Sequence, residues 1–186
     1  IAKHWVGTGE FRMNPFAGPT FYVPILYGAG LIKLFGFSFT LLRISTLVLT
    51  LATLIIFYEL LTDISQKPKL SFFLTLALWF NPIFYNATLT FMTEIPALFF
   101  IISGIYAYHK GFTHKKPWWL FLGSVLSILG MFTRQTNILI MVAAGLYALA
   151  QLKQIKFRHL LWSFGIPAIF GLSMYYWLSV HALLPP

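Results

Sequence analysis

Apolar residues occupy this 186-residue chain in long, nearly continuous stretches, without the spacing that an amphipathic helix of a soluble protein shows. A helix needs about 20 mostly apolar residues to cross a bilayer, within a range of roughly 17–25. Six stretches reach or approach that length, the third and fifth being short: Leu41–Leu61, Leu70–Ala87, Ile95–His109, Trp118–Thr133, Ile138–Leu152 and Leu160–Val180. The pattern predicts an all-α fold, a multi-spanning transmembrane helical bundle of about six spans.

The first forty residues differ from the rest of the chain. His4–Pro19 is polar and rich in turn-forming residues, and Thr20–Phe35 is apolar but interrupted by one proline and two glycines. We expect residues 1–40 to form an outer loop with a helix lying in the membrane interface. With the bundle in residues 41–186, the whole chain is predicted to be one membrane-embedded domain.

Composition supports a membrane location. The chain is 59% hydrophobic and only 9% charged, with a mean hydropathy of +0.79, whereas a soluble domain is about 45–50% apolar and about 25% charged. The formal net charge of +9 would suggest nucleic acid in a soluble protein. Here the basic residues stand in short gaps between apolar stretches, so we expect them to meet anionic lipid headgroups and expect no nucleic-acid partner.

The basic residues fall in every second gap, as the positive-inside rule requires. They are Lys67, Lys69, Lys110, Lys115, Lys116, Lys153, Lys156 and Arg158. The alternate gaps, Thr88–Glu94 and Arg134–Asn137, are then predicted to face the periplasm, the cell exterior or an organelle lumen. The chain is thus predicted to be a multi-pass integral membrane protein.

Glu94 is a candidate catalytic residue on the predicted outer face. It precedes Pro96, which suits the first turn of a helix, so the carboxylate could simply help to start that helix. A carboxylate at the edge of a dry cavity could instead bind or activate a hydroxyl group. The sequence leaves both interpretations open.

Arg134 heads a cluster of hydrogen-bonding side chains between two apolar stretches. It could reach lipid phosphate, or its planar guanidinium could grip a substrate phosphate. The neighbouring Gln135 and Asn137 favour substrate binding. Glu10 and Arg12, in the predicted outer loop, are further candidates for substrate binding or are ordinary surface residues. The histidines are scattered and show no metal-ligand spacing, so we predict no metal site, although a need for a divalent metal stays open.

Three groups of motifs resemble the integral-membrane glycosyltransferases of the GT-C superfamily, in particular the branch of protein O-mannosyltransferases and aminoarabinose-transferase-like proteins. The first resembles that branch's first outer loop running into its second span, and the second resembles its second outer loop. The third is similar to a loop of the dolichyl-phosphoglucose glucosyltransferases. In order, the motifs are Gly18–Gly28 with Lys33–Gly36 and Leu42–Ser45; Asn81-Pro82 with Met92–Ala97; and Arg134–Asn137.

The resemblance implies inverting transfer of a sugar from a polyprenyl-phosphate donor to a lipid, glycan or protein acceptor at the outer face. It implies no cofactor and a bacterial or archaeal plasma membrane, or alternatively the endoplasmic reticulum. Glu94 would position the acceptor or the sugar, and Arg134 with Gln135 would hold the phosphate. The family's principal acidic residue would precede Ile1 and further C-terminal sequence would follow, so we expect this stretch alone to be inactive.

Two other functions remain possible from the sequence. A transporter or lipid flippase would need helices broken by glycine or proline and buried charges near the membrane midplane. The charges of this chain cluster instead at the ends of the apolar stretches. A non-catalytic scaffold would leave the polar clusters of the outer face without a purpose.

Overall fold

The computed structural model describes residues 22–150 and 157–181, and these ranges are helical apart from short connections. The all-α class predicted from the sequence is confirmed. The helical segments, in chain order, are α1 (Tyr22–Phe35), α2 (Phe39–Ser65), α3 (Pro68–Trp79), α4 (Pro82–Thr88), α5 (Glu94–His114), α6 (Pro117–Met131), a 3₁₀ turn (Gln135–Asn137), α7 (Ile138–Ala150), α8 (Phe157–Leu160), a π-helical segment (Leu161–Gly165) and α9 (Ile166–His181).

Two helices in the described ranges are long and apolar enough to cross a membrane. They are α2 and the continuous helix Arg158–Val180, which joins α8 to α9 through the π-helical segment. A third span results if α3 and α4 are counted together, and α6 and α7 are apolar but shorter. The architecture is therefore that of a membrane protein, although length and composition alone support two or three of the six predicted spans.

The predicted span Leu70–Ala87 is not one straight helix. Between α3 and α4 the axis bends by 69°. Asn81 causes the break: its side-chain oxygen accepts hydrogen bonds from the backbone N–H groups of Ile83 at 3.0 Å and Phe84 at 3.3 Å, and Pro82 follows as the first helical residue. An asparagine cap before a proline starts a new helix, because the proline cannot continue the preceding hydrogen-bond ladder.

Helices α5 and α6 form a closely packed antiparallel hairpin. Their connection turns at Lys115, whose φ of 54° is left-handed. A Cβ added at Gly111 would lie 2.6 Å from the Leu120 side chain, and one at Gly123 would lie 2.8 Å from the Tyr108 ring. Glycine therefore lets the two backbones approach, as small residues commonly do between membrane helices.

One ion pair lies at each end of the bundle, and each pair joins residues at or beside two different connections between helices. Asp63 and Lys110, near the C-terminal ends of α2 and α5, lie 2.6 Å apart, and this hydrogen bond raises the pKa of the Lys110 ammonium. Glu94 and Arg134 lie at the opposite end of the α5–α6 hairpin. We call these the Lys110 end and the Glu94 end. The grouping agrees with the alternation of charged gaps, and the membrane face of each end stays a prediction.

Helix α1 lies against the bundle at the Glu94 end. The backbone N–H of Val23 donates to the carbonyl oxygen of Phe132 at 3.3 Å, and the ring of Tyr27 stacks on Phe91 with centroids 6.0 Å apart. Its helix over 22–35 matches the described part of the predicted interfacial helix. Its placement relative to a bilayer stays a prediction.

Candidate functional site

Glu94 is the first residue of α5, and its position is fixed by the apolar residues that follow it. Ile95 is 1% exposed and Ala97 is 3% exposed, so the first turn of the helix is anchored in the core. The carboxylate itself stands at the edge of the bundle with its side chain 39% exposed. The backbone of Glu94 is therefore held in place while its carboxylate remains accessible to a ligand.

Arg134 leaves the C-terminal end of α6 in extended conformation and turns back toward α5. Its backbone N–H donates to the carbonyl oxygen of Gly130 at 2.7 Å, which ties it to the last turn of α6. Its Nη2 donates to Oε1 of Glu94 at 3.0 Å, across 40 residues of sequence. The two residues that the sequence singled out separately therefore form one site at the Glu94 end.

The contact between Glu94 and Arg134 uses only part of each group. The Arg134 side chain is 54% exposed, and a guanidinium carries five N–H donors. The second oxygen of Glu94, Oε2, is buried and has no hydrogen-bond partner. The arginine thus retains N–H donors for an anion, whereas the unpaired oxygen of the carboxylate is enclosed by the protein.

Asn137 lies inside the protein, and Gln135 lies outside it. The Asn137 side chain is 1% exposed, and its Nδ2 donates to the backbone carbonyl oxygen of Ala97 at 3.1 Å. This bond joins the first turn of α5 to the turn that carries Arg134. Gln135 is exposed beside Arg134. Of the two predicted binding residues, Gln135 is placed to meet a ligand directly, and Asn137 is placed to hold the site together.

The remaining predicted site residues, Glu10 and Arg12, lie outside the described residues. Three acidic residues fall within the described ranges, and Glu94 alone among them lies at the Glu94 end, because Glu59 and Asp63 belong to the last turns of α2. Within those same ranges no group of three His, Asp or Glu side chains could hold a metal ion. The expected lack of a cofactor stays a prediction.

An apolar groove of about 490 Å³ opens beside the site, between α6, α7 and the α8–α9 helix. Met131 and Ile138 line it, and these residues flank the segment that carries Arg134. Further along, the groove follows α7 to Gly145 and reaches Leu160 and Leu161 of the last helix. A continuous apolar path therefore leads from the Arg134 turn toward the other end of the bundle.

A family model described as dolichyl-phosphate-mannose-protein mannosyltransferase matches residues 23–177. The chain belongs to this mannosyltransferase family. The match includes both residues of the ion pair, all of α2 to α8 and most of α9. Neither the curated proteins nor the solved structures contain a match to the chain.

Membership in the mannosyltransferase family identifies the chain as a membrane glycosyltransferase that uses a lipid-linked sugar donor. The resemblance to GT-C enzymes expected from the loop motifs is thereby confirmed. The match also favours glycosyl transfer over transport.

Sequence reasoning missed the pairing of Glu94 with Arg134 and the groove beside them. The signal for the pairing was the two-residue connection between α5 and α6, which makes the helices antiparallel neighbours and brings the start of one near the end of the other.

Proposed function

We propose that the full-length protein transfers a sugar from a polyprenyl-phosphate donor to an acceptor hydroxyl at the Glu94 end, and that this end faces the periplasm, the cell exterior or an organelle lumen. The observation that carries the proposal is the juxtaposition of Glu94 and Arg134, 3.0 Å apart and both accessible. A bacterial or archaeal plasma membrane is the proposed location, with the endoplasmic reticulum as the alternative. The acceptor is a lipid, a glycan or a protein.

Arg134 and Gln135 bind the donor phosphate in this proposal. Arginine donates charge-assisted hydrogen bonds to phosphate oxygens in a fixed planar geometry, and the exposed Gln135 amide adds a neutral donor. The polyprenyl chain enters the apolar groove that begins at Met131 and Ile138. A lipid phosphate consists of an anionic head joined to an apolar tail. The cationic Arg134 suits the head, and the adjacent apolar groove suits the tail.

Glu94 meets the acceptor hydroxyl. The acceptor oxygen forms a bond to the anomeric carbon on the face opposite the phosphate, the bond from that carbon to the phosphate oxygen breaks, and its electron pair leaves with the phosphate. In this proposal Glu94 does more than position the acceptor: it takes the proton of the acceptor hydroxyl, and Arg134 stabilises the charge that develops on the leaving phosphate. Attack from the opposite face inverts the configuration of the sugar. No cofactor takes part in this scheme.

The test uses the full-length protein in lipid nanodiscs with radiolabelled polyprenyl-phosphate mannose or glucose. Glu94→Gln is expected to lower turnover about 10²–10⁴-fold, the usual contribution of a general base, and Arg134→Ala about 10²–10³-fold, as for other charge-stabilising donors. Asp63→Asn is the matched control, because it breaks the ion pair at the Lys110 end and should leave turnover unchanged. Turnover near that of the unmodified protein in either site variant would exclude that residue from the reaction.

A further inference from the structure

The two groups that the proposed reaction needs in a free state are bonded to each other in this structure. Nη2 of Arg134 donates to Oε1 of Glu94 at 3.0 Å. A phosphate that binds Arg134 through a planar pair of N–H donors that includes Nη2 competes with that carboxylate for the guanidinium. Oε1 of Glu94 is in turn engaged by Arg134 instead of by an acceptor hydroxyl.

The geometry of the pair allows one bond to be exchanged for another. A single N–H···O contact joins the groups, and both side chains are partly exposed, 54% for Arg134 and 39% for Glu94. The positions of their backbones do not depend on this contact. Arg134 N–H is held by Gly130, and the first turn of α5 is held through Asn137 and Ala97. The side chains can therefore separate while the site keeps its shape.

We propose that the donor phosphate displaces Glu94 from Arg134, so that donor binding itself releases the carboxylate for the acceptor. This inference rests on the proposed function and adds to it an order in which the two substrates bind. In the absence of donor, Glu94 and Arg134 neutralise each other. Once the phosphate occupies Arg134, the carboxylate loses its partner and accepts the hydrogen bond of the incoming hydroxyl. Donor then binds before acceptor, and the base becomes active only in the presence of donor.

The expected size of the effect follows from the exposure of the pair. Exposed ion pairs contribute little, equivalent to a factor of about 1.4 to 5 in an equilibrium constant. A lipid phosphate makes more than one charge-assisted bond to a guanidinium, so it can displace a single carboxylate contact. Removing the competition should accordingly strengthen phosphate binding by roughly two- to fivefold.

Binding of undecaprenyl phosphate, which carries no sugar, measures the exchange without any need for turnover. With the full-length protein in nanodiscs, Glu94→Gln is expected to lower the Kd roughly two- to fivefold relative to the unmodified protein, as the exposed pair predicts. Arg134→Gln should raise the Kd more than about tenfold, the loss expected for a charged hydrogen bond. Asp63→Asn, at the Lys110 end, should leave it unchanged.

The double variant Glu94→Gln/Arg134→Gln separates competition from simple charge repulsion. If the phosphate displaces Glu94 from Arg134, then Glu94→Gln has no effect on the Kd for undecaprenyl phosphate once Arg134 is absent, because there is no guanidinium for the carboxylate and the phosphate to compete for. An equal tightening in that background would show that Glu94 merely repels the phosphate, and it would overturn the exchange. So would an unchanged or higher Kd in the single Glu94→Gln variant.

Two further comparisons keep the outcome interpretable. If Glu94→Gln does not fold, Glu94→Asp serves instead: its shorter side chain loses the 3.0 Å contact but keeps the charge, and a lower Kd is again expected. If turnover is absent with every donor while the Kd pattern holds, the proposed function fails and the exchange stands. If turnover depends on Glu94 and Arg134 while Glu94→Gln binds phosphate no more tightly, the exchange fails and the proposed function stands.

Discussion

The geometry of the site depends on Gly130, although this residue carries no side chain. A Cβ added at this position would lie 2.7 Å from Nδ2 of Asn137, 3.0 Å from its Cβ and 3.1 Å from Cβ of Phe100. Asn137 is buried and bonded to the Ala97 carbonyl, so it has no free space in which to retreat. Gly130→Ala must therefore displace the turn that carries Arg134, the first turn of α5, or both.

The destabilisation expected at Gly130 can be compared with the effect of the same substitution at Gly104 on the facing helix, α5. Overpacking costs about 1–3 kcal/mol, and alanine recovers at most about 1 kcal/mol of helix propensity over glycine. At Gly104 the nearest atoms to an added Cβ are Oγ of Ser127 at 3.5 Å and the Gly123 carbonyl oxygen at 3.8 Å, which is ordinary contact. With the full offset, we expect Gly130→Ala to destabilise the protein by up to about 2 kcal/mol, and Gly104→Ala to be neutral or slightly stabilising.

Thermal unfolding of the full-length protein in detergent, followed by tryptophan fluorescence, checks the stability difference between the two variants. Turnover at a temperature where both are folded checks the site, and only Gly130→Ala should lose activity, because Arg134 is bonded to its backbone. Equal stability and equal turnover in the two variants would refute the reasoning, since it would show that the Asn137 contact does not hold the site.

Two further pairs of variants, each with its control, test other elements of the structure. Asn81→Ala removes the cap that starts α4 and should cost about 1 kcal/mol of unfolding free energy, whereas Ser38→Ala should cost less, since the Ser38 side chain accepts from Leu41 at a long 3.4 Å; equal losses would contradict the role of the cap. Gly145→Leu places a side chain in the apolar groove, where an added Cβ meets only Phe164 at 3.9 Å. It should raise the KM for the polyprenyl donor with kcat unchanged, while Gly30→Leu on α1, also in open space, should alter neither.

The fold class could be predicted from the sequence because long, continuous apolar stretches with little charge are stable in few settings besides a lipid bilayer. The ends of the individual helices were harder to predict from the sequence. The predicted span Ile95–His109 is part of a helix over Glu94–His114, because polar residues such as Lys110 stay helical beyond the apolar stretch. The break inside Leu70–Ala87 had a local signal in Asn81-Pro82, which hydropathy alone does not register.

The candidate site was predictable in its residue types and less so in its geometry. A lone carboxylate and a lone arginine in alternate gaps were sufficient to single out Glu94 and Arg134. The short connection between α5 and α6 predicts that the two residues are near each other, but their 3.0 Å separation depends on the lengths and packing of these helices, which no local pattern encodes. The position of Asn137 depends on the absence of a side chain at Gly130, a relation visible only once the two backbones are placed together.

The central claim is that Glu94 and Arg134 act in sugar transfer and are more than a structural ion pair. The charge swap Glu94→Arg/Arg134→Glu tests it most directly, because it restores an ion pair at the same place while exchanging the two chemical roles. Unfolding temperature and turnover of radiolabelled polyprenyl-phosphate sugar would be measured on the full-length protein. The account predicts stability close to that of the unmodified protein with turnover still lost. Recovery of turnover in the swapped protein would contradict it and would assign the pair a purely structural role.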